Sequence, residues 1–343
     1  MNNKLLISGV LGLGTCMIYT PIHAGEAQAQ SKPNVLIIYT DDMGAGDVSF
    51  LNNGWVKTPN IDKLASGGLI VTNYYSSSPV SSPSRVGLTT GRFPTEMGIN
   101  CYLQTRKGNT ACEQFDYLDA SVPTMAKVMK SAGYTTGHFG KWHMGGGRDV
   151  IDAPQITEYG FDEYISTWES PNPDPVITDS AWIWSRTDQV KRWDRTAYFV
   201  DKTLDFLKRH KGEPCFVNLW PDDMHTPWVP SQKTMDSERT SWTTPPNFKE
   251  VLTEYDKQIG RLMEGLTKLG LEKNTIVIFT SDNGPAPSFQ QMRTNSLLGV
   301  KCSLYEGGIR MPFAIHWPEK IKAGGINDSS IVCAVDLLPS LCA

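Results

Sequence analysis

Three groups of residues in this chain have the types and spacing that chemistry requires. Asp41 and Asp42 are adjacent, and Asp282 and Asn283 form a second pair. These four side chains offer oxygen ligands, the kind that hard cations such as Ca²⁺ or Mg²⁺ prefer. Taken singly, an Asp-Asp pair or a Ser-Asp-Asn-Gly stretch is equally a solvated turn. The second group is Ser81-Ser82-Pro83-Ser84-Arg85. Pro83 suits the first turn of a helix, which sets Ser81 at the positive helix end, where backbone N–H groups favour an anion. Arg85, four residues on, falls near the same face. Alone, the stretch could equally be an ordinary helix cap. The third group, Lys141, His143 and His225, supplies positive charge and proton-transfer capacity.

The elements that must position these groups follow an α/β pattern without internal repeats. Apolar runs at 35–39, 135–139, 216–220, 276–280 and 312–316 read as buried strands. Helical patterns occupy 61–65, 122–132, 196–210, 248–269 and 336–341. The first strand runs into Asp41-Asp42, the second into Lys141 and His143, the third into His225 and the fourth into Asp282-Asn283. Open parallel sheets bind ligands at the carboxyl ends of their strands. Four strands therefore deliver polar residues to one place. Segment 169–195 is rich in Pro, Asp and Trp and reads as a long excursion from the sheet. Its Trp182, Trp184 and Trp193 could stack on a sugar face or simply pack the insertion.

With 343 residues, 40% of them hydrophobic, the chain has enough apolar material for one large core. Its net charge of -4, with both signs interspersed, excludes a basic surface for nucleic acid or anionic membranes. Lys4, the apolar run 5–19 and Ala27-Gln28-Ala29 read as a secretory signal over 1–29, leaving a mature domain over 30–343. Export to the periplasm follows, without stable membrane association, because the run is shorter than the roughly 20 residues a spanning helix needs. Lipidation at Cys16 or an uncleaved anchor is the alternative, and Thr15 fits poorly before a lipidated cysteine. Six further cysteines show no CxxC spacing. Cys101 and Cys112 could pair in an oxidising compartment, whereas Cys215 and Cys333 lie in apolar runs as expected of buried thiols.

The twelve residues from Ser81 to Arg92 resemble the signature of the formylglycine-dependent sulfatases: Cys or Ser-x-Pro-Ser-Arg, Leu88 at the eighth position and Gly91-Arg92 at the end. The resemblance extends in order through 34–44, 58–62, Gly140-Lys141-Trp142-His143, His225-Thr226-Pro227, Ser281-Asp282-Asn283-Gly284, Lys301 and 305–310. It implies an alkaline-phosphatase-like sandwich with a large, mostly parallel central sheet flanked by helices. It implies oxidation of Ser81 to formylglycine, in the serine form by a radical S-adenosylmethionine maturase before export. It further implies a metal held by Asp41, Asp42, Asp282, Asn283 and residue 81, with Arg85 and Lys141 steadying the nucleophile. His143 then takes a proton, and His225 and Lys301 grip the sulfate, one of them protonating the leaving oxygen.

The expected activity is hydrolysis of a sulfate ester, on a glycosaminoglycan or other polysaccharide. Alternatives are a broad aryl sulfatase, a phosphatase or phosphonate hydrolase on the same fold, and an inactive sulfated-glycan binder if Ser81 stays a serine. Against a two-zinc phosphatase, no His follows closely after Asp282-Asn283. Arg148 and Asp149 are candidate sugar contacts or, equally, members of a salt bridge. Members of the family usually continue past a segment like 335–343 into a small antiparallel subdomain, so the expectation here is a chain truncated relative to the family.

Overall fold

The computed structural model describes residues 32–52, 54–178, 184–233 and 243–343. The segment 1–29, read above as a secretory signal, and Trp182 lie outside the described residues. The strands are β1 (Asn34–Thr40), β2 (Leu69–Val71), β3 (Tyr74–Tyr75), β4 (Thr135–Gly140), β5 (Glu163–Ser166), β6 (Cys215–Trp220), β7 (Thr275–Ser281), β8 (Phe313–His316), β9 (Gly325–Asn327) and β10 (Val332–Cys333). The helices used below are α1 (Pro59–Ser66), α2 (Ser81–Thr90), α3 (Arg106–Ala111), α4 (Met125–Ser131), α5 (Arg195–Arg209), α6 (Pro245–Leu269), α7 (Glu306–Ile309) and α8 (Leu337–Cys342).

The main sheet has the order β5-β4-β6-β1-β7-β8-β2-β9. Its five strands from β5 to β7 run parallel, and β8 alone is reversed against both neighbours. Every residue of β1 is buried, and its side chains alternate between two cores. Leu36 and Ile38 join Phe199, Leu252 and Ile259 of α5 and α6. Val35, Ile37 and Tyr39 join Val86 and Leu88 of α2 and Met125 and Met129 of α4. Each such buried aliphatic side chain stabilises the fold by about 1.5–3 kcal/mol relative to exposure. The sheet is thus covered on both faces, which is why its central strands read as unbroken apolar runs.

Helix ends follow local chemistry. Thr124 accepts a bond from the N–H of Lys127 to cap α4 at 3.2 Å, so α4 begins at Met125, three residues after the sequence pattern suggests. Pro245 at the first turn and Thr244 as cap start α6 ahead of its first apolar residue, Phe248. Asp256 of α6 accepts from the N–H groups of Asn60 and Ile61 at 3.1 and 2.9 Å, capping α1 from another helix. Two glycines are fixed by geometry. Gly91 ends α2 in a left-handed conformation (φ 64°) and returns its N–H to the Gly87 carbonyl. Gly140 (φ 132°) ends β4 so close to β6 that a Cβ would lie 2.0 Å from the Trp220 carbonyl oxygen. Among the described residues, no helix is long and apolar enough to cross a membrane.

Candidate active site

The site lies at the carboxyl ends of β1, β4, β6 and β7, as the strand-to-polar pattern predicts. β1 and β7 pair in register up to Thr40 opposite Ser281, so the residues that follow face each other. Asp41, Asp42 and Asp282 each bring a carboxylate oxygen within 4.8 Å of the others, and all three residues are at most 1% exposed. Asp42 takes a left-handed backbone (φ 58°) and donates its N–H to Asp282 Oδ1 at 3.0 Å. Asn283 Nδ2 donates to Asp42 Oδ1 at 2.7 Å. Three buried carboxylates this close are costly unless cations offset them. Burial, followed by the charge of Asp41, pushes Asp282 up to about 6 despite Arg85 beside it. Burial acts the same way on Asp41, but Lys141, His225, Arg85 and Lys301 outweigh it and hold that carboxyl well below its usual range. The donor set is all oxygen, which suits a hard divalent ion.

Ser81 is the first residue of α2, a helix buried along its whole length. Its hydroxyl donates to Asp41 Oδ1 at 3.1 Å and lies 3.3 Å from Asn283 Oδ1, so it sits against the same carboxylate cluster. Ser84 bridges Tyr39 Oη (2.8 Å) and the Asp282 carbonyl (2.5 Å), pinning the helix start to β1 and β7. Arg85 is fully buried. Its guanidinium bonds Asp282 Oδ2 at 2.7 Å and the Lys141 carbonyl at 3.2 Å, stands 3.4 Å from Asp41 Oδ1, and lies over the Tyr39 and Trp220 rings.

The remaining cations close the ring. Lys141 Nζ bonds Asp41 Oδ2 at 2.9 Å, and Lys301 Nζ bonds both oxygens of Asp42 at 2.6 and 2.7 Å. Burial disfavours the Lys301 charge, yet Asp42 and Asp41 more than offset this and keep it cationic. His225 Nδ1 donates to the Thr226 carbonyl at 2.7 Å, leaving Nε2 3.7 Å from Asp42 Oδ2. Burial, with Lys301 and Lys141 nearby, shifts its imidazole below the usual value. His143 also has a left-handed backbone (φ 53°). Burial lowers its pKa to about 3 and keeps it neutral.

Nine of the ten residues expected at the site form one connected set. His143 stands beside it: no hydrogen bond links it to Ser81, and its ring faces the Leu103 carbonyl and Glu169 instead. Glu169 is the functional candidate that motif reasoning passes over, because it opens the irregular segment after β5. Arg148 resolves to the salt-bridge alternative, donating to Glu169 Oε1 at 3.0 Å while lying over Trp168. Asp149 accepts from the N–H of Arg106. A buried network of Asp222 with Arg192 and Arg195 (2.5 and 2.9 Å) backs His225, and spacing gave no signal for it. Trp184 packs on Val229 with Trp193 against it, which favours packing over a sugar platform for these two. Cys101 and Cys112 are free thiols, so the structure does not carry that disulfide. Cys215 is buried as expected, but Cys333 is half-buried, in a small two-stranded sheet at the margin of the core.

The family model described as Sulfatase matches residues 33–343. The N-acetylgalactosamine-6-O-sulfatase of Bacteroides thetaiotaomicron is 28% identical, over 98% of this chain and 77% of its own length. The human N-acetylgalactosamine-6-sulfatase is 30% identical over 88% of this chain, which spans 60% of the human protein. The crystal structure of Ps i-CgsB in complex with k-i-k-neocarrahexaose superposes with a TM-score of 0.73 at 26% identity, covering 91% of this chain and 71% of that one.

Proposed function

The chain belongs to the sulfatase family, and on that premise we propose that it hydrolyses a sulfate ester on a carbohydrate. In this reading Ser81 is oxidised to formylglycine, and Asp41, Asp42, Asp282, Asn283 and residue 81 hold Ca²⁺ or Mg²⁺. The observation that carries it is the place of Ser81: a buried helix start, against an all-oxygen acidic cluster and inside a ring of Arg85, Lys141, His225 and Lys301. The carboxylate that its hydroxyl meets, Asp41, is held well below its usual range and is a weak base, so an unmodified serine would be a poor nucleophile there. A hydrated formylglycine supplies a geminal diol hydroxyl for attack on sulfur, and the cation supplies Lewis-acid polarisation of the bound oxygens.

The chain's own residues do the rest. Arg85 and Lys141 fix residue 81 from the helix side, through contacts to Asp282 and Asp41 that already exist. Lys301 and His225 flank Asp42 and present positive charge where sulfate oxygens would lie, so charge building up in the transition state meets groups already in place. His225 gives a proton from Nε2 to the departing alcohol as the imidazolium, the form that Asp42 and the anionic ester favour, since its Nδ1–H is committed to Thr226. The resemblance makes His143 the base that restores residue 81; its ring stands beside the set, against the Leu103 carbonyl and Glu169.

A carbohydrate substrate is supported by the names of the relatives, which act on sulfated N-acetylgalactosamine, and by the carrageenan-type hexaose in the structural neighbour. Among the described residues there is one acidic metal cluster, which fits a one-metal sulfatase better than a two-metal phosphatase. In the same reading 1–29 is a leader that exports the mature chain, to the periplasm or on to the medium or outer membrane, and a radical S-adenosylmethionine maturase acts on Ser81 before export. The test is sulfate release, by ion chromatography, from N-acetylgalactosamine 6-sulfate, sulfated galactan oligosaccharides and 4-nitrophenyl sulfate, with phosphate and phosphonate esters alongside. Faster release from one sulfated sugar than from the aryl ester is expected. Preference for a phosphonate or phosphate ester would overturn the reading.

A further inference from the structure

Glu169 lies at the cleft beside Asp41, Lys141 and His225, on the segment that follows β5, whereas Lys141 and His143 follow β4. Its side chain is 11% exposed, and among the described residues it is the one buried carboxylate lining the cleft that serves neither the metal cluster nor the Asp222 network. Both oxygens are engaged. Oε1 accepts from Arg148 at 3.0 Å, while Oε2 lies 3.3 Å from His143 Nδ1 and 3.7 Å from Lys141 Nζ. The Glu169 carbonyl also accepts the N–H of His143 at 2.9 Å, so backbone and side chain grip the same residue.

The ring of His143 shows what this grip does. Nε2 lies 3.1 Å from the Leu103 carbonyl, which can only accept, so in the neutral ring Nε2 carries the hydrogen and Nδ1 the lone pair. Nδ1 is buried and has no hydrogen-bond donor aimed at it. A proton taken up by this ring must go to Nδ1, and it then meets Glu169 Oε2. Burial would raise the Glu169 carboxyl, but His143 once protonated, and Lys141 and Arg148 throughout, hold it down to about 2, so it is ionised and ready to receive that charge.

We propose that Glu169 is a positioning residue for the sulfatase reaction: clamped by Arg148, it orients His143 and Lys141 and stabilises the imidazolium formed when Nδ1 accepts a proton. The proposal rests on the sulfatase reading above. The carboxylate keeps its own charge throughout.

The test uses matured enzyme and 4-nitrophenyl sulfate as probe, in stopped-flow and steady state, for wild type, Glu169→Gln, Glu169→Asp and Arg148→Met. Loss of an outer-shell orienting group is expected to lower kcat about 10–100-fold. Since His143 acts after the aryl group has left, Glu169→Gln should show a burst of about one nitrophenol per matured site before a slow steady state. Glu169→Asp, which keeps the charge with shorter reach, should recover part of kcat, and Arg148→Met, at a half-exposed position, should show the same burst with a smaller loss. A Glu169→Gln enzyme within about twofold of wild-type kcat, or losses in kcat that merely track the folded fraction without a burst, would overturn the proposal. If Glu169→Gln does not fold, Arg148→Met decides on the same criterion. Wild type releasing nothing from the aryl ester or from any sulfated sugar would sink the sulfatase reading itself, a result distinct from an active wild type with a fully active Glu169→Gln.

Discussion

Removing Arg85 should destabilise the metal-free protein by about 3–5 kcal/mol, the usual cost of stranding a buried charge partner. The size follows from the surroundings. The guanidinium is completely buried, bonds Asp282 Oδ2 at 2.7 Å and stands 3.4 Å from Asp41 Oδ1. Arg85→Ala would leave those carboxylates with Lys141 as their nearest remaining cation, and would also remove a cation from the Tyr39 and Trp220 ring faces at 5.6 and 5.2 Å. Arg85→Lys keeps a charge but cannot span Asp282, Asp41 and the Lys141 carbonyl together, so it should lose an intermediate amount. Urea unfolding in excess chelator, with the m-value checked for constancy, reads the difference as a midpoint shift. Millimolar calcium should narrow the gap between wild type and Arg85→Ala, because a bound divalent ion offsets the same carboxylates. A loss below about 1 kcal/mol in chelator, or a gap that calcium leaves unchanged, would refute this view of the cluster as a charge-balanced unit.

Calorimetric titration should show one Ca²⁺ or Mg²⁺ per chain, abolished in Asp42→Ala, and at a hundredfold excess over Kd the ion should add about 2.7 kcal/mol of stability; absence of binding heat would contradict the assignment of the cluster. His225→Ala should reduce kcat/KM about 10²–10⁴-fold on a sugar sulfate and less on an aryl sulfate, whose leaving group needs less proton donation; equal losses on both would remove His225 as the acid. Glu169 sets an acid dependence: its folded pKa of about 2 lies below its ordinary 4.5, so its stabilisation is fully present above about 4.5 and is lost as pH falls towards 2. Acid unfolding monitored by circular dichroism should show about 3 kcal/mol less of that loss in Glu169→Gln; parallel acid-unfolding curves would count against it.

The sequence made the central sheet legible because strands buried on both faces show as apolar runs, and all five read that way are present. It also showed where those strands end, since Asp41, Lys141, His225 and Asp282 each follow one directly or nearly so. The reversed direction of β8 was not legible, because an apolar run carries no sign of polarity along the sheet. Helix starts shifted where a cap or proline, not the first apolar residue, sets the boundary, as at Thr124 and Pro245. Within the site, motif residues were readable one by one, but partners that reach in from irregular chain were not. Glu169 and Asp222 act through tertiary contacts to Arg148, Arg192 and Arg195 that no local spacing encodes. Arg148 illustrates the limit: its sequence position allowed a sugar contact or an ion pair, and only the fold chose between them.

The most direct test of the account is the mass of the peptide carrying residue 81, from protein made in an anaerobic host that matures a control serine-type sulfatase. Oxidation of Ser81 to the aldehyde should appear as a loss of about two mass units, since the nucleophile must be activated by modification where the adjoining Asp41 carboxylate is so weak a base. An unmodified serine, alongside a converted control, would contradict the account and leave a chain that holds sulfated glycans without cleaving them.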